Sequence, residues 1–258
     1  MNSLHGKNIL ITRDEQGATI LADLLRKTGA NPMEVPLLQI NCKRYEMKAA
    51  LTQYSWVFFT SQKGVACFLQ HEKYAEQLHK CNVAAVGEKT KAALNNRGYK
   101  VDFMPSTYNA ETMAVQFLQR FNKKERVLFV RGNLSSPVLL RAFDKGKMPY
   151  DVVEVYETKQ NDVMKRTLQE VSETNEIDYI TFTSPSAIDA FLSMVPDFAK
   201  WQPIPIVCIG TTTEKKAIDA QFSNILVADV FTIEGMIEKM VQHNIRKTNY
   251  IKSSEKTK

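Results

Sequence analysis

Short apolar runs rich in β-branched residues alternate with amphipathic helical patterns along the chain. A short apolar run predicts a buried strand, and apolar residues three or four positions apart predict a helix with one buried face. The predicted strands are residues 8–12, 33–37, 56–60, 83–86, 101–104, 127–130, 152–156, 179–183, 206–209 and 225–227. Residues 16–28, 89–96 and 110–121 are typical of the intervening helices. This alternation predicts an α/β protein, and its strands divide naturally into two five-stranded parallel sheets.

Part of the sequence occurs twice at a spacing of 123 positions. Residues 59–61 (FTS) return as residues 182–184, and the register holds without a gap over about fifty residues. A looser repeat relates residues 9–13 to residues 127–131. The chain therefore has the order of a duplicated protein, A, B, A′, B′.

Two pairings of these four segments are open, sequential or nested. Two extended segments fall where the chain would cross between lobes, which favours nesting and a two-stranded hinge. Nesting predicts that residues 9–13 share a sheet with residues 179–183 and not with residues 56–60. The predicted domains are an outer lobe (residues 1–37 and 160–245), an inner lobe (43–151), crossing strands (38–42 and 152–159) and a disordered basic tail (246–258).

The net charge and the length of the apolar stretches argue against a nucleic-acid partner and against a membrane span. The net charge is +6, and part of it comes from the Lys-rich tail. No dense basic stripe with interleaved aromatic residues is present, so a nucleic-acid partner is not expected. The apolar stretches, such as residues 204–209, are too short to span a membrane, and the first seven residues lack a secretory h-region.

Cysteine and histidine usage indicates a reducing compartment without a metal site. The four cysteines, Cys42, Cys67, Cys81 and Cys208, have no CxxC spacing. Cys67 and Cys208 lie in apolar runs and are predicted to be small core residues. The four histidines are scattered over polar segments.

Hydroxyl residues follow the strands in both copies of the repeat. Thr60-Ser61 and Thr183-Ser184 each precede a helix, where a hydroxyl is by default an N-cap. The carboxyl ends of parallel strands are also where open sheets bind ligands, and helix starts favour anions. Capping alone and capping combined with anion binding both remain open.

Glycine and arginine complete the candidate chemistry. Gly87 and Gly210 precede hydroxyl-bearing helix starts, but neither matches a dinucleotide or P-loop motif. Arg13 and Arg131 end corresponding strands, as carboxylate clamps or as solvated arginines paired with nearby acids. Glu111 and Glu234 lie in first helical turns and are read as surface residues that complement the helix dipole. With no Ser–His–Asp set and no clustered carboxylates, the protein is expected to work by holding a flexible substrate in one shape.

Taken in order, these motifs resemble the uroporphyrinogen-III synthase family. The resemblance covers residues 7–245 and rests on residues 11–13, 59–61, 85–90, 101–105 with 110–111, 130–132, 155–158, 183–187, 209–212 and 232–236. It implies two flavodoxin-like lobes, each a five-stranded parallel sheet flanked by helices, joined by a two-stranded antiparallel β-ladder. Phe231 and Ile233 flank Thr232 where the family often has prolines, which leaves the shape of that loop open.

The resemblance also implies a reaction. The family closes the linear tetrapyrrole hydroxymethylbilane to uroporphyrinogen III in haem biosynthesis, inverting the last ring through azafulvene and spiro intermediates. It implies a cytoplasmic monomer without cofactor or metal, whose partners are this substrate and, transiently, the preceding pathway enzyme. Tyr156 would help the hydroxyl leave, as an acid or as a hydrogen-bond donor. The implied substrate-binding residues are Arg13, Thr60, Ser61, Lys63, Gly87, Thr90, Arg131, Ser184, Ser186, Thr212 and Thr232. The competing hypothesis is a non-catalytic two-lobed binding or sensor protein for an anionic small molecule.

Overall fold

The computed structural model describes residues 4–121 and 124–255. Its contacts divide the chain into two compact units. The outer unit comprises Met1–Gln39 with Lys159–Lys258, and the inner unit comprises Ile40–Thr158. None of the helices in the described ranges is long and apolar enough to cross a membrane.

The strands and helices follow the predicted alternation. The strands are β1 (Asn8–Ile11), β2 (Asn31–Glu34), β3 (Leu38–Cys42), β4 (Trp56–Phe59), β5 (Asn82–Ala85), β6 (Val127–Gly132), β7 (Tyr150–Gln160), β8 (Tyr179–Phe182), β9 (Ile206–Cys208) and β10 (Ile225–Val227). The helices are α1 (Glu15–Arg26), α2 (Gln62–Phe68), α3 (Glu72–Leu78), α4 (Glu88–Asn95), α5 (Ala110–Arg120), α6 (Val138–Gly146), α7 (Met164–Thr174), α8 (Pro185–Met194), α9 (Thr211–Asp219) and α10 (Ile233–Glu255). Leu51–Gln53 and Phe198–Lys200 form single 3₁₀ turns.

Each unit contains one five-stranded sheet. The outer sheet has the order β10-β9-β8-β1-β2, and its strands run parallel. In it, Ile9 pairs with Tyr179 and Ile11 with Thr181, as the nested order of the repeats predicts. The inner sheet has the order β3-β7-β6-β4-β5, in which β4, β5, β6 and β7 run parallel.

The strand side chains alternate between two apolar clusters in each unit. Phe59 packs in one inner cluster and Phe58 in the other, and Leu10 and Ile11 divide between the two outer clusters in the same way. Successive side chains of a strand point to opposite faces, so each sheet is covered on both faces. Double coverage explains why the strands read as continuous apolar runs rather than as alternating ones.

The repeat is visible as elements that begin 123 positions apart. The strand β4 begins at Trp56 and β8 at Tyr179. The pairs α2 and α8, α4 and α9, and α5 and α10 begin at the same spacing. The two copies therefore share the positions at which their strands end and their helices begin, which fixes the side chains at each strand end.

Two predicted elements differ from the structure. Residues 101–104 were predicted as a strand, but they form only an isolated bridge between Ala84 and Phe103. The Asp102 carboxylate accepts the Val83 backbone N–H at 3.0 Å, and Pro105 cannot donate to a ladder. The predicted disordered tail is also wrong over residues 246–255, which continue α10, while residues 256–258 lie outside the described chain. Extending an existing helix costs far less than nucleating one, and lysine and glutamate are good helix formers.

The prediction that the cysteines are reduced is wrong for one pair, although Cys67 is buried in the core as predicted. Cys42, in β3, and Cys67, in α2, form a disulfide whose Cα atoms lie 5.3 Å apart. Cys81 and Cys208 are free, and Cys208 is buried as predicted. Burial, together with the nearby Glu214 charge, raises the pKa of the Cys208 thiol to about 12, which makes it a poor nucleophile.

Candidate active site

The predicted site residues gather at the carboxyl edge of each sheet. In the inner unit they follow β4 and β5 or lie in β6 and β7, and in the outer unit they follow β1, β8, β9 and β10. Parallel neighbours end at a common edge, so each unit carries one polar rim. The inner rim holds Thr60, Ser61, Lys63, Gly87, Thr90, Arg131 and Tyr156, and the outer rim holds Arg13, Ser184, Ser186, Thr212 and Thr232.

Three rim hydroxyls cap helices. Ser61 Oγ accepts the Gly64 N–H at 3.0 Å, Ser184 Oγ accepts the Ala187 N–H at 3.2 Å, and Thr232 Oγ1 accepts the Gly235 N–H at 3.0 Å. A hydroxyl has two acceptor sites and one donor, so capping leaves its proton free to donate. Capping and anion binding are therefore compatible at these positions.

Two rim helices begin without a side-chain cap. Gly87 precedes α4 and Gly210 precedes α9, both in extended conformation. The first N–H groups of these helices consequently have no side-chain acceptor. Behind them, Thr90 and Thr213 are buried in the first turn, whereas Thr212 is exposed. These helix starts offer backbone donors to an anion.

The two arginines differ in their surroundings. The Arg131 guanidinium turns back onto its own chain, donating from Nη2 to the Ser135 carbonyl and from Nε to the Gly132 carbonyl at 3.3 Å. Arg13 Nε is buried without a hydrogen-bond partner, and the nearest carboxylate, Asp14 Oδ1, is 3.8 Å away. The Arg13 side chain is 21% exposed and makes no hydrogen bond through Nε, whereas part of the Arg131 fork is already used.

Tyr156 is drawn into the inner rim by a shift in strand register. Val130 pairs with Val153 and Arg131 with Glu154, but Gly132 pairs with Tyr156. The extra residue in β7 lets Tyr156 pack against the same apolar cluster that contains its neighbour Val155. In a regular strand, consecutive side chains point to opposite faces. The side chains of Val155 and Tyr156 contact the same cluster because a β-bulge changes the direction of Tyr156.

The Tyr156 hydroxyl meets the cap of α2. Tyr156 Oη lies 3.1 Å from Ser61 Oγ, and the tyrosine ring covers Gly132 so closely that a Cβ there would collide with it. The role of Gly132 was not predicted, because it depends on the pairing of Gly132 with Tyr156, which cannot be read from the sequence. The sequence placed both Tyr156 and Ser61 in the site, but it did not predict that they touch.

One cavity of the inner unit lies away from these residues. It has a volume of about 1050 Å³ in the inner unit and is lined by the Cys42–Cys67 disulfide and side chains from residues 43–46 and 70–74. It is open, and its walls carry both acidic and basic groups, so it does not define a charge-selective site. No group of three or more potential metal ligands occurs among the residues that the structure describes.

These features define a doubly wound α/β protein with a polar, hydroxyl-rich rim on each of two sheets. A family model described as uroporphyrinogen-III synthase HemD matches residues 20–238. A porphyrin biosynthesis protein HemD from Ruminiclostridium josui is 27% identical over 248 residues, or 93% of this chain and 49% of that protein. The chain thus spans about half the length of this relative. A uroporphyrinogen-III synthase from Chlorobaculum parvum is 26% identical over 215 residues, covering 80% of this chain and 87% of that protein.

Two crystal structures share the fold. Uroporphyrinogen-III synthetase from Helicobacter pylori aligns with a TM-score of 0.67 at 18% identity, over 92% of this chain and 99% of that one. A mutant uroporphyrinogen III synthase from Thermus thermophilus aligns with a TM-score of 0.65 at 13% identity, over 94% and 100%. The chain belongs to the uroporphyrinogen-III synthase family, which consists of cyclising lyases of porphyrin biosynthesis. Membership favours an enzyme over a non-catalytic binding protein.

Proposed function

We propose that this chain converts hydroxymethylbilane to uroporphyrinogen III, inverting the last of the four pyrrole rings. The observation that carries the proposal beyond family membership is the Tyr156 hydroxyl, which is held on the inner rim 3.1 Å from Ser61 Oγ. The reaction needs a proton donor for a leaving hydroxyl and many donors for carboxylates. Both kinds of group are present on the rims.

The proposed chemistry starts with departure of the terminal hydroxyl. The carbon–oxygen bond breaks as the pyrrole nitrogen supplies its electron pair, and the hydroxyl takes a proton from Tyr156 and leaves as water. The resulting azafulvene carbon bonds to the substituted position of the last ring, giving the spiro intermediate. That intermediate breaks and recloses inverted. The proton lost from the closing pyrrole carbon balances the one given to the hydroxyl.

The substrate carboxylates match the donors of the two rims. Each pyrrole bears an acetate and a propionate, and capping hydroxyls, free helix N–H groups and cations each bind such groups. We assign carboxylate binding to Arg13, Thr60, Lys63, Gly87, Thr90, Arg131, Ser184, Ser186, Thr212 and Thr232. Lys63 is half-buried in the first turn of α2, and Ser186 lies 2.9 Å from Ser184, Oγ to Oγ. Ser61 is the exception, because its hydroxyl is engaged with Tyr156.

We also propose how the two units correspond to lobes and in which compartment the protein acts. The units correspond to flavodoxin-like lobes, with residues 38–42 and 152–159 as an antiparallel ladder between them. Adjacency of β3 and β7 in the inner sheet supports this ladder. We further propose a cytoplasmic monomer that contacts the preceding pathway enzyme transiently.

An isomer assay tests the proposal. Hydroxymethylbilane is generated enzymatically in the presence of this protein, and the uroporphyrinogen isomers are separated. Unaided closure yields the uninverted isomer, so the protein is expected to shift the product to the inverted isomer III. If the ratio stays at the uncatalysed value while the protein binds the bilane, the chain is a binding protein and not a synthase.

A further inference from the structure

The hydrogen bonds around Ser61 form a chain that ends at Tyr156. The Gly64 N–H donates to Ser61 Oγ at 3.0 Å, and Ser61 Oγ lies 3.1 Å from Tyr156 Oη. The first bond has a fixed direction, because a backbone N–H can only donate. The second can run either way, since both partners are hydroxyls.

The direction of that second bond decides what Tyr156 can do. If Tyr156 donates to Ser61, its single proton is turned away from any substrate. If Ser61 donates to Tyr156, the phenolic proton is free and the phenol oxygen is hydrogen-bonded, which stabilises negative charge on that oxygen as the proton leaves. Hydrogen bonds that run in one direction also reinforce one another, so the Gly64 N–H makes Ser61 a better donor.

The position of the ring is determined by a second residue. The register shift sets Tyr156 opposite Gly132, and the ring occupies the space that a Cβ at that position would fill. Any larger residue would push the ring off the β6 backbone and away from Ser61. The cap and the glycine together fix the direction of the hydroxyl and the plane of the ring.

We propose that Ser61 and Gly132 are positioning residues that aim the phenolic proton of Tyr156 at the leaving hydroxyl. The inference rests on the proposed synthase function. It moves Ser61 from carboxylate binding to proton control, because its one proton cannot serve both. In the Michaelis complex the order of donation is Gly64 N–H, Ser61 O–H, Tyr156 O–H and then the substrate oxygen.

Three substitutions at Ser61 separate this role from helix capping. Ser61→Thr keeps the cap and the donor, Ser61→Ala removes both, and Ser61→Asp keeps the cap but has no proton to give. We expect kcat near wild type for Ser61→Thr and about tenfold or more lower for Ser61→Ala and Ser61→Asp. The melting temperature should fall only in Ser61→Ala. A structural role alone predicts that kcat follows the melting temperature, with Ser61→Asp active.

The Ser61→Asp variant changes two properties, because the aspartate lacks a proton to donate and its negative charge also repels an anionic substrate. The comparison therefore uses kcat at saturating bilane, and Ser61→Asn is the neutral companion. Its amide oxygen caps and its NH₂ group donates, so Ser61→Asn should recover kcat relative to Ser61→Asp. If the two variants have equal kcat, donation by residue 61 is not what sets the rate.

Gly132→Ala provides an independent test of the ring position. It leaves both hydroxyls in place but displaces the ring, so we expect kcat to fall about tenfold or more with KM changed less. Tyr156→Phe provides the reference background. In Tyr156→Phe, adding Ser61→Asp or Gly132→Ala should cause no further loss of kcat, because the proton they position is gone.

The outcomes distinguish a failure of the proposed synthase function from a failure of the proposed positioning roles. No isomer III from the wild-type protein rejects the synthase function itself. Wild-type synthase activity with a slow Tyr156→Phe variant, but normal kcat in Ser61→Asp and Gly132→Ala, rejects only the positioning roles. Additive losses in the double variants reject them as well.

Discussion

Ser61 and Ser184 lie 123 positions apart and cap corresponding helices, each accepting the backbone N–H three residues later. Their remaining contacts differ. Ser61 meets the hydroxyl of Tyr156, whereas Ser184 meets the hydroxyl of Ser186. The duplication has kept the cap and changed its partner, so the inner rim carries the proposed acid and the outer rim carries a pair of hydroxyls suited to carboxylates.

This difference predicts opposite kinetic effects at the two serines. Ser186→Ala should weaken binding of uroporphyrinogen III by roughly 1 kcal/mol, the usual value of one hydrogen bond, while leaving kcat within about twofold. Ser61→Ala should do the reverse. Anaerobic titration calorimetry and saturation kinetics on both variants measure this. A Ser186→Ala variant with normal affinity and reduced kcat would contradict the division of roles.

Arg13 is expected to bind a substrate carboxylate. Its Nε has no hydrogen-bond partner, so Arg13→Ala should lower product affinity by roughly 1–3 kcal/mol while the protein melts close to wild type. Affinity should also fall with added salt, since a partly exposed ion pair is screened. Arg166→Ala is the charge-matched control in the same unit, because Arg166 pairs with Glu170 on an exposed helix face. Equal effects of the two substitutions would show that overall charge, not a contact, is responsible.

Much of this site follows from the sequence because its determinants are local. A hydroxyl three residues before a helical N–H is visible in the chain, as is the repeat that places Ser61 and Ser184 alike. The register shift at Gly132 is not visible, since it depends on pairing between β6 and β7, which are separated by a helix. Residues 101–104 have strand character, but the Asp102 side chain replaces part of the ladder.

The Cys42–Cys67 bond was missed for a similar reason. Bonding needs Cα atoms about 4.4–6.8 Å apart, and this distance is set by how β3 and α2 pack rather than by the spacing of the cysteines. The prediction was based on the spacing of the cysteines and on the expected compartment, and neither indicates which cysteines lie close together in the fold. The site residues could be predicted because they follow strand ends that are visible in the sequence, whereas the disulfide depends on tertiary packing.

The disulfide should stabilise the inner unit. It closes a loop with a sequence separation of 25 residues, for which loss of unfolded-chain entropy is worth about 3 kcal/mol. Cys42→Ala should lower the free energy of unfolding by roughly that amount, and a reductant should destabilise the wild-type protein but not this variant. Cys81→Ala controls for loss of a thiol, because Cys81 is free. Alkylation of all four cysteines in the denatured but unreduced protein would disprove the bond and favour the reduced state expected in a cytoplasm.

Asp151 should make stability depend on pH in the acid range. Burial raises its pKa, but hydrogen bonds from Arg126 (2.7 Å) and Tyr54 (3.0 Å) outweigh that effect and hold it below its ordinary value of 3.8. Because the folded-state pKa is lowered, the stabilisation is present above the unfolded-state pKa and is lost as pH falls through the folded-state pKa.

Denaturation curves between pH 2 and 7, a range of about five units around the carboxyl pKa, test this effect. Asp151→Asn should be less stable than wild type at neutral pH, and the difference should shrink as the pH drops below about 4. Asp219→Asn, at an exposed carboxylate on α9, should not show this convergence. A difference that is constant across the range would mean that Asp151 acts through packing and not through its charge.

Product isomers from Tyr156→Phe test the central claim most directly. The substitution removes one hydroxyl and keeps the ring over Gly132, so folding and product binding should be preserved. We predict turnover about 10²-fold slower, the low end of the roughly 10²–10⁴-fold that general-acid assistance typically contributes. A larger share of the bilane should then escape to the uninverted isomer. Wild-type turnover and wild-type isomer purity in Tyr156→Phe would contradict the account and leave catalysis to positioning of the substrate alone.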